Sequence, residues 1–450
     1  MQDTRETSAG RASARPAALE SGGHKNKPVP LSRVIWRWHF WIGLLAGPVL
    51  VVASVTGAIY IFKEDLQTVL YPELMVVEVS GDRANLDNIV AAATEAAGPG
   101  WRPAVVEMTD EPSASVAVFL STDDHQHRRV YVDPYRATAL GELPEGDVLS
   151  VVLAIHRRLF AGTIGRVLVE LTTSWTIVLL ATGVTLWWPR NWRNVAGILV
   201  PRLGGKRYVA LRDLHSIAGA FAAIIAAIIA ITGLLYSLVW GTLFLSIGFV
   251  SGSFDLELNP PGSQPPIASD SPGPRFSIQQ VMAIAKNRSL PEARVSIELP
   301  RTPEDAYAVK CGYHWGPSVA AGLFVDQYSG VVVKEATISE VPTLAQWTQW
   351  NYPLHVGSVM GGFSRVIWLA VCCVLCSLPI TGIWMWLTRR KAGQTGFPKH
   401  HDRPLPMALW YIVLGTSLLL PLSGASLALA FVSSLAAKRF RQPSVPCTSN

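Results

Sequence analysis

Residues 39–60, HFWIGLLAGPVLVVASVTGAIY, return at 215–236 as HSIAGAFAAIIAAIIAITGLLY. Aligned without a gap, the two stretches match His39 with His215, Gly43 with Gly219, Thr56-Gly57 with Thr232-Gly233, and Tyr60 with Tyr236. Neither carries a charge apart from its leading histidine, and a helix needs roughly 20 apolar residues to cross the bilayer core. At about 100° per residue, Gly43 lies on nearly the same helical face as His39, and Gly57, five turns on, falls in line with it. The unit is a membrane helix that opens on a histidine and keeps one stripe free of side-chain bulk.

A second unit repeats as well. With His156 placed over His355, Gly162 matches Gly361, Arg166 matches Arg365, Thr182-Gly183 matches Thr381-Gly382, Trp187 matches Trp386 and Arg190 matches Arg389. Between the two units, Val130-Tyr-Val-Asp-Pro-Tyr135 corresponds to Leu323-Phe-Val-Asp-Gln-Tyr328. Each copy follows a helical stretch (86–97; 278–287) and short alternating runs with strand character (104–108, 115–120; 294–299, 306–310). A fixed-offset repeat of this length marks a duplication: each half reads helix, small α+β module, helix.

Half of the 450 residues are hydrophobic and 16% are charged, a balance unusual for a soluble protein. Charges are missing from 40–62, 171–189, 216–254, 366–388 and 407–437, which predicts five spans. The basic stretch before the first, with Arg33 and Arg37, and the lack of a small-residue cleavage site mark an uncleaved anchor with a cytoplasmic N-terminus. Arg190, Arg193, Arg202, Lys206, Arg207 and Arg212 put the loop after the second span in the cytoplasm, and Arg389, Arg390, Lys391, Lys399 and Arg403 do so after the fourth. The expected order is a polar tail (1–32), first span (33–65), outer module (66–155), second span (156–190), loop (191–212) and third span (213–254). A second outer module (255–354), fourth span (355–389), loop (390–404), fifth span (405–437) and tail (438–450) follow. The basic tail, with Lys438, Arg439 and Arg441, disagrees with an outer C-terminus, so the last run, broken by Pro421, either spans or re-enters. The net charge of +6 comes from membrane-flanking arginines and calls for no nucleic-acid partner.

The four repeat-matched histidines carry the chemistry. Ionisable groups at membrane depth are costly and usually functional. The topology puts His39 and His215 near the cytoplasmic face and His156 and His355 near the outer face. Facing helices build cofactor sites from inward side chains, and haem iron accepts an axial imidazole on each side within a flat apolar slot. On that reading Gly43, Gly219, Gly57 and Gly233 make room for the macrocycle; close helix packing is the competing reading. Arg166 and Arg365 are candidate partners for acidic groups of the cofactor, with Arg37, Arg157, Arg158 and Arg212 nearer to headgroup anchors. Glu170 has no counterpart, since Leu369 stands in its place, and is either a proton or substrate group or an arginine partner. His24, His400, His401, His125 and His127 read as surface residues, and His314 as a weak ligand-binding candidate. Cys372, Cys373 and Cys376 lie within the fourth span as small apolar residues, because a zinc or iron–sulfur site needs a fourth ligand. A disulfide between Cys311 and Cys447 stays open.

These residues carry a resemblance over roughly 33–435. Arg37-Trp-His39 with Gly43, Ile155-His156-Arg157, Asp213-Leu-His215-Ser-Ile-Ala-Gly219, Tyr352-Pro-Leu-His355 and the two Val-Asp-x-Tyr endings resemble the PepSY-associated transmembrane proteins, also called iron-regulated membrane proteins. The resemblance implies a membrane all-α helical bundle of about five transmembrane helices, internally duplicated, with two small periplasmic α+β PepSY-like modules. Some members are di-haem inner-membrane reductases that release iron from ferric siderophores in the periplasm. That implies two haem b groups with His39, His215, His156 and His355 as axial ligands. It also implies a ferric siderophore or other periplasmic iron chelate as acceptor. No G-x-G-x-x-G follows a strand and the cytoplasmic loops are short, so electrons would come from quinol or a separate cytoplasmic reductase. A permease for an iron complex and a non-catalytic scaffold are the alternatives.

Overall fold

The computed structural model describes residues 30–189, 191, 193, 195–253, 263, 275–288, 290–398 and 407–440. From the N-terminus, α1 (Leu31–Tyr60) is followed by α2 (Lys63–Leu70), α3 (Pro72–Met75) and α4 (Leu86–Ala97). Strands β1 (Arg102–Thr109), β2 (Val116–Ser121), β3 (His127–Asp133) and β4 (Thr138–Glu142) come next. Helices α5 (Val148–Arg158), α6 (Gly162–Trp187), α7 (Arg207–Leu234), α8 (Val239–Val250) and α9 (Ile278–Lys286) lead to the second set of strands. These are β5 (Arg294–Glu298), β6 (Tyr307–Gly312), β7 (Ala321–Val325) and β8 (Val332–Thr337). The chain then forms α10 (Thr343–Val356), α11 (Gly361–Arg389), α12 (Met407–Leu419) and α13 (Pro421–Phe440).

Among the described residues, α1, α6, α7 and α11 are long and apolar enough to cross a membrane, which makes this a membrane protein. They close a ring in which α1 and α7 each pack against both α6 and α11. Gly47 of α1 brings the backbones together: a Cβ there would lie 3.0 Å from Pro379 of α11. Helices α1 and α7 therefore stand diagonally across the ring, as do α6 and α11.

The expected fifth span breaks between α12 and α13, where Pro421 cannot donate to the preceding turn. The third apolar run breaks too, because the chain leaves α7 at Leu234 and restarts as α8. At 1.5 Å per residue, the 12 residues of α8 reach about 18 Å, short of a core about 30 Å thick.

The strands give the larger surprise. They form one eight-stranded antiparallel sheet in the order β4-β3-β2-β1-β5-β6-β7-β8, in place of two separate modules. Strand β1 pairs with β5 in a register that sets Glu107 opposite Ser296. Left alone, each four-stranded half would expose a long open edge, a template for unwanted pairing; joining β1 to β5 removes both. Helices α4 and α9 cover one face of the sheet, over a single core containing Ile89, Val106, Val118, Leu120, Val281, Ile297, Val309 and Leu323. Full burial of each such side chain stabilises by roughly 1.5–3 kcal/mol. The two helices also cap each other: Asp87 of α4 accepts from the Ile278 and Gln279 amides, and Gln279 accepts from the Leu86 amide. The Val-Asp-x-Tyr endings are turns, since Asp133 accepts the Tyr135 amide at 2.8 Å and Asp326 accepts the Tyr328 amide at 3.0 Å.

Candidate functional site

Each of the four histidines docks on a Thr-Gly step of a neighbouring helix in its own half. His39 of α1 meets Thr182-Gly183 of α6, and His156, in the last turn of α5, meets Thr56-Gly57 of α1. The second half repeats this: His215 of α7 meets Thr381-Gly382 of α11, and His355 of α10 meets Thr232-Gly233 of α7. The Nδ1···Oγ1 distances are 2.9, 3.0, 3.0 and 3.1 Å in that order.

The direction of these hydrogen bonds follows from the threonines. Every one of their hydroxyls already donates to the carbonyl one helical turn back: Thr56 to Val52, Thr182 to Val178, Thr232 to Ile228 and Thr381 to Ser377. The oxygen is left to accept, so the histidine Nδ1–H donates. For His156 and His355 a second acceptor, the carbonyl of Ala53 or Ile229, lies 3.0 Å from the same nitrogen. With the proton fixed on Nδ1, Nε2 presents a lone pair. That is the tautomer a metal-bound imidazole needs, held by the outer partner that usually orients it.

The imidazoles of each pair come together across the two halves. Ring centres of His39 and His215 are 6.3 Å apart with planes at 84°, and those of His156 and His355 are 6.3 Å apart at 59°. Two imidazoles bound through Nε2 to opposite sides of one metal, with bonds of about 2 Å, have ring centres about 6 Å apart. Among the described residues, no group of three or more His, Cys, Asp or Glu side chains converges as a metal site. Two facing imidazoles with no third protein ligand among the described residues would suit a metal whose remaining positions come from a macrocycle.

Space and polarity fit the same group. A cavity of about 500 Å³ surrounds His39 and His215, floored by Gly43 and Gly219 and walled by Leu179, Leu378, Trp36 and Trp386, within the roughly 300–1,000 Å³ usual for ligand pockets. Arg37 Nε, two residues before His39 in sequence, and both amide atoms of Asn351, one turn before His355, are buried with no hydrogen-bond partner among the described residues. Orphaned groups of this kind call for a partner that the protein itself does not supply.

The glycine stripe divides into two jobs. Gly43 and Gly219 border the cavity, whereas Gly57 and Gly233 make room for the opposite imidazoles: a Cβ there would lie 3.2 Å from His156 and 3.0 Å from His355. Gly183 and Gly382, with the four threonines, were visible in the repeat but carried no expected role; their signal was that every histidine has a Thr-Gly step at a fixed offset. The matched arginines part company. Arg365 pairs with Asp65 and lies over the Phe62 ring, while Arg166 forms no ion pair among the described residues.

Among the described residues Glu170 forms no ion pair with an arginine. Buried in α6, it accepts the Val239 and Trp240 amides at 2.8 Å each and so caps the start of α8. Asp213, two residues before His215, is fully buried between Arg202 and Arg212 and ties the preceding loop to α7. His314 sits in the β6–β7 loop, 3.0 Å from Asp110. Cys311 is buried in β6; Cys447, His24, His400, His401 and Arg190 lie outside the described residues.

Compared with known families, residues 36–389 match the PepSY-associated TM region, a stretch that takes in all four histidines and all eight strands. The chain belongs to the PepSY-associated transmembrane family. No curated protein matches it. The family match ends with α11, so α12 and α13 lie beyond the PepSY-associated region.

Proposed function

We propose that this protein is a di-haem electron-transfer protein of the bacterial inner membrane that reduces a ferric chelate, such as a ferric siderophore, on the outer side during iron uptake. What supports the reading is one observation: two pairs of Nδ1-donating imidazoles, each at 6.3 Å between ring centres and each shared between the halves. His39 with His215, and His156 with His355, would hold one haem b apiece, and each haem would supply an iron able to gain and lose one electron. The chain's part is orientation: threonine oxygens fix the tautomers, glycines admit the rings, and apolar helices keep water from the irons.

Thr56 stands 17 residues beyond His39 on α1, which separates the two pairs by about 26 Å along the axis. That distance covers most of the bilayer core. The excess of Arg and Lys at the end remote from the sheet favours a cytoplasmic N-terminus and a periplasmic sheet. Quinol or a separate cytoplasmic reductase would provide the electrons. Reduction loosens a hard-oxygen chelator's hold, because Fe(II) is the softer ion.

The test is a visible spectrum of the purified chain from haem-replete cells. Bis-imidazole haem bands at two haems per chain are expected. A colourless preparation with all four histidines present overturns the reading in favour of a permease or a scaffold.

A further inference from the structure

A second cavity, of about 340 Å³, lies where the helical ring meets the sheet. Val356, next to His355, forms part of its wall, so it abuts the outer histidine pair. Its lining combines aromatic faces with an excess of positive charge: Tyr60, Tyr352 and Trp315 beside Lys63, Arg294 and Arg365, with Glu64 the one acid.

Most of that charge is spoken for. Arg294 reaches Glu64 at 3.3 Å, Arg365 pairs with Asp65, and His314 with Asp110. Lys63 has no carboxylate within ion-pair distance among the described residues; its Nζ lies 5.7 Å from the Tyr60 ring centre. Burial, with the Arg129 charge second, pulls this ammonium below the usual lysine range, against the opposing pull of the Glu64, Glu107 and Asp147 carboxylates.

Trp315 is set in place by its surroundings. It is 63% exposed, so no core burial accounts for it, yet its indole edge rests on Gly361. That glycine holds φ +61, and a Cβ there would lie 2.6 Å from Trp315 Nε1. The site also occurs once in a duplicated protein. The connection from β6 to β7 that carries His314 and Trp315 is longer than its counterpart from β2 to β3.

We propose that this cavity binds a deprotonated aromatic diol, the catecholate class of iron-chelating arm, stacked on Trp315 and Tyr352 with its negative oxygens on Lys63. The volume sits at the low end of ligand pockets, enough for one aromatic arm and too small for a whole hexadentate chelate. The ligand's role as the arm of an electron acceptor rests on the proposed function; its binding does not.

Redox-inert gallium(III) separates the two. Calorimetric titration of the detergent-solubilised full chain would compare the polyanionic gallium complex of 2,3-dihydroxybenzoate with the uncharged gallium complex of acetohydroxamate. The catecholate complex is expected to bind at least tenfold tighter, and Lys63→Gln and Trp315→Ala are each expected to weaken it about tenfold with the visible spectrum unchanged. Equal affinity for the two complexes, or wild-type affinity in both variants, overturns the proposal. Catecholate binding by a colourless protein would refute the haem reading and leave this site standing; haem-loaded protein that binds neither complex would do the reverse.

Discussion

Alanine in place of the glycine beneath each imidazole should have graded effects, because the four steps are not equally tight. The Cβ built at Gly233 would lie 3.0 Å from His355 Cε1; at Gly57 and Gly183 the distances to His156 and His39 are 3.2 Å; at Gly382 the distance to His215 is 3.6 Å. Carbon atoms sit comfortably at about 3.5–4.0 Å, so Gly233→Ala must push the His355 ring away by about half an ångström, whereas Gly382→Ala meets only ordinary contact. Metal–ligand bonds tolerate about 0.2 Å, so the first shift exceeds the tolerance and the second does not. Overpacking costs about 1–3 kcal/mol, against a helix-propensity gain of up to about 1 kcal/mol for alanine over glycine. Gly382→Ala should therefore keep both haems and melt at a slightly higher temperature. Gly233→Ala should lose about half the haem absorbance, from the pair near the sheet, and gain no stability. Haem per chain, measured after pyridine extraction, together with thermal melting, tests this. Equal haem content in Gly233→Ala and Gly382→Ala, or loss confined to Gly382→Ala, would refute the idea that these glycines admit the rings.

Replacing His156 and His355 together by alanine should remove one haem per chain and leave the other, read from the absorbance spectrum; loss of both would mean the pairs are not independent. Glu170→Leu strips two backbone amides of their acceptor, each worth about 1–3 kcal/mol once buried and unpaired, so hydrogen exchange at residues 239–241 should accelerate while the haem spectrum holds. Burial raises the Cys311 thiol to about 11, so at pH 8 this cysteine should resist maleimide until the sheet is unfolded in guanidinium, as mass spectrometry of the labelled peptide would report.

Much of this architecture was legible in the sequence because it is carried by side chains at fixed spacing. The matches of His39 to His215 and of His156 to His355 located the four histidines at the ends of apolar runs, and the family match spans them. Union of the two modules was not legible, since β1 and β5 join through backbone hydrogen bonds that leave no residue-specific mark. The split of the third run after Leu234 escaped for a similar reason. An uninterrupted apolar stretch does not say where its helix stops, and the cap comes from Glu170, 69 residues upstream of Val239. The Thr-Gly steps were in plain view, but assigning them to histidines needed the third dimension: Gly57 shares a helical face with His39 yet serves His156.

Neither half of the chain holds both imidazoles of any pair, although each half supplies all the threonines and glycines its own histidines need. A half-length ancestor could have completed such a centre only by meeting a copy of itself about a two-fold axis, the isologous contact from which most symmetric dimers are made. Joining the two copies in one gene freed each to diverge without breaking the shared centres. The departures from symmetry, Glu170 where the other half has Leu369, Asn351 where it has Val152, and the His314–Trp315 loop, are where that freedom has been used.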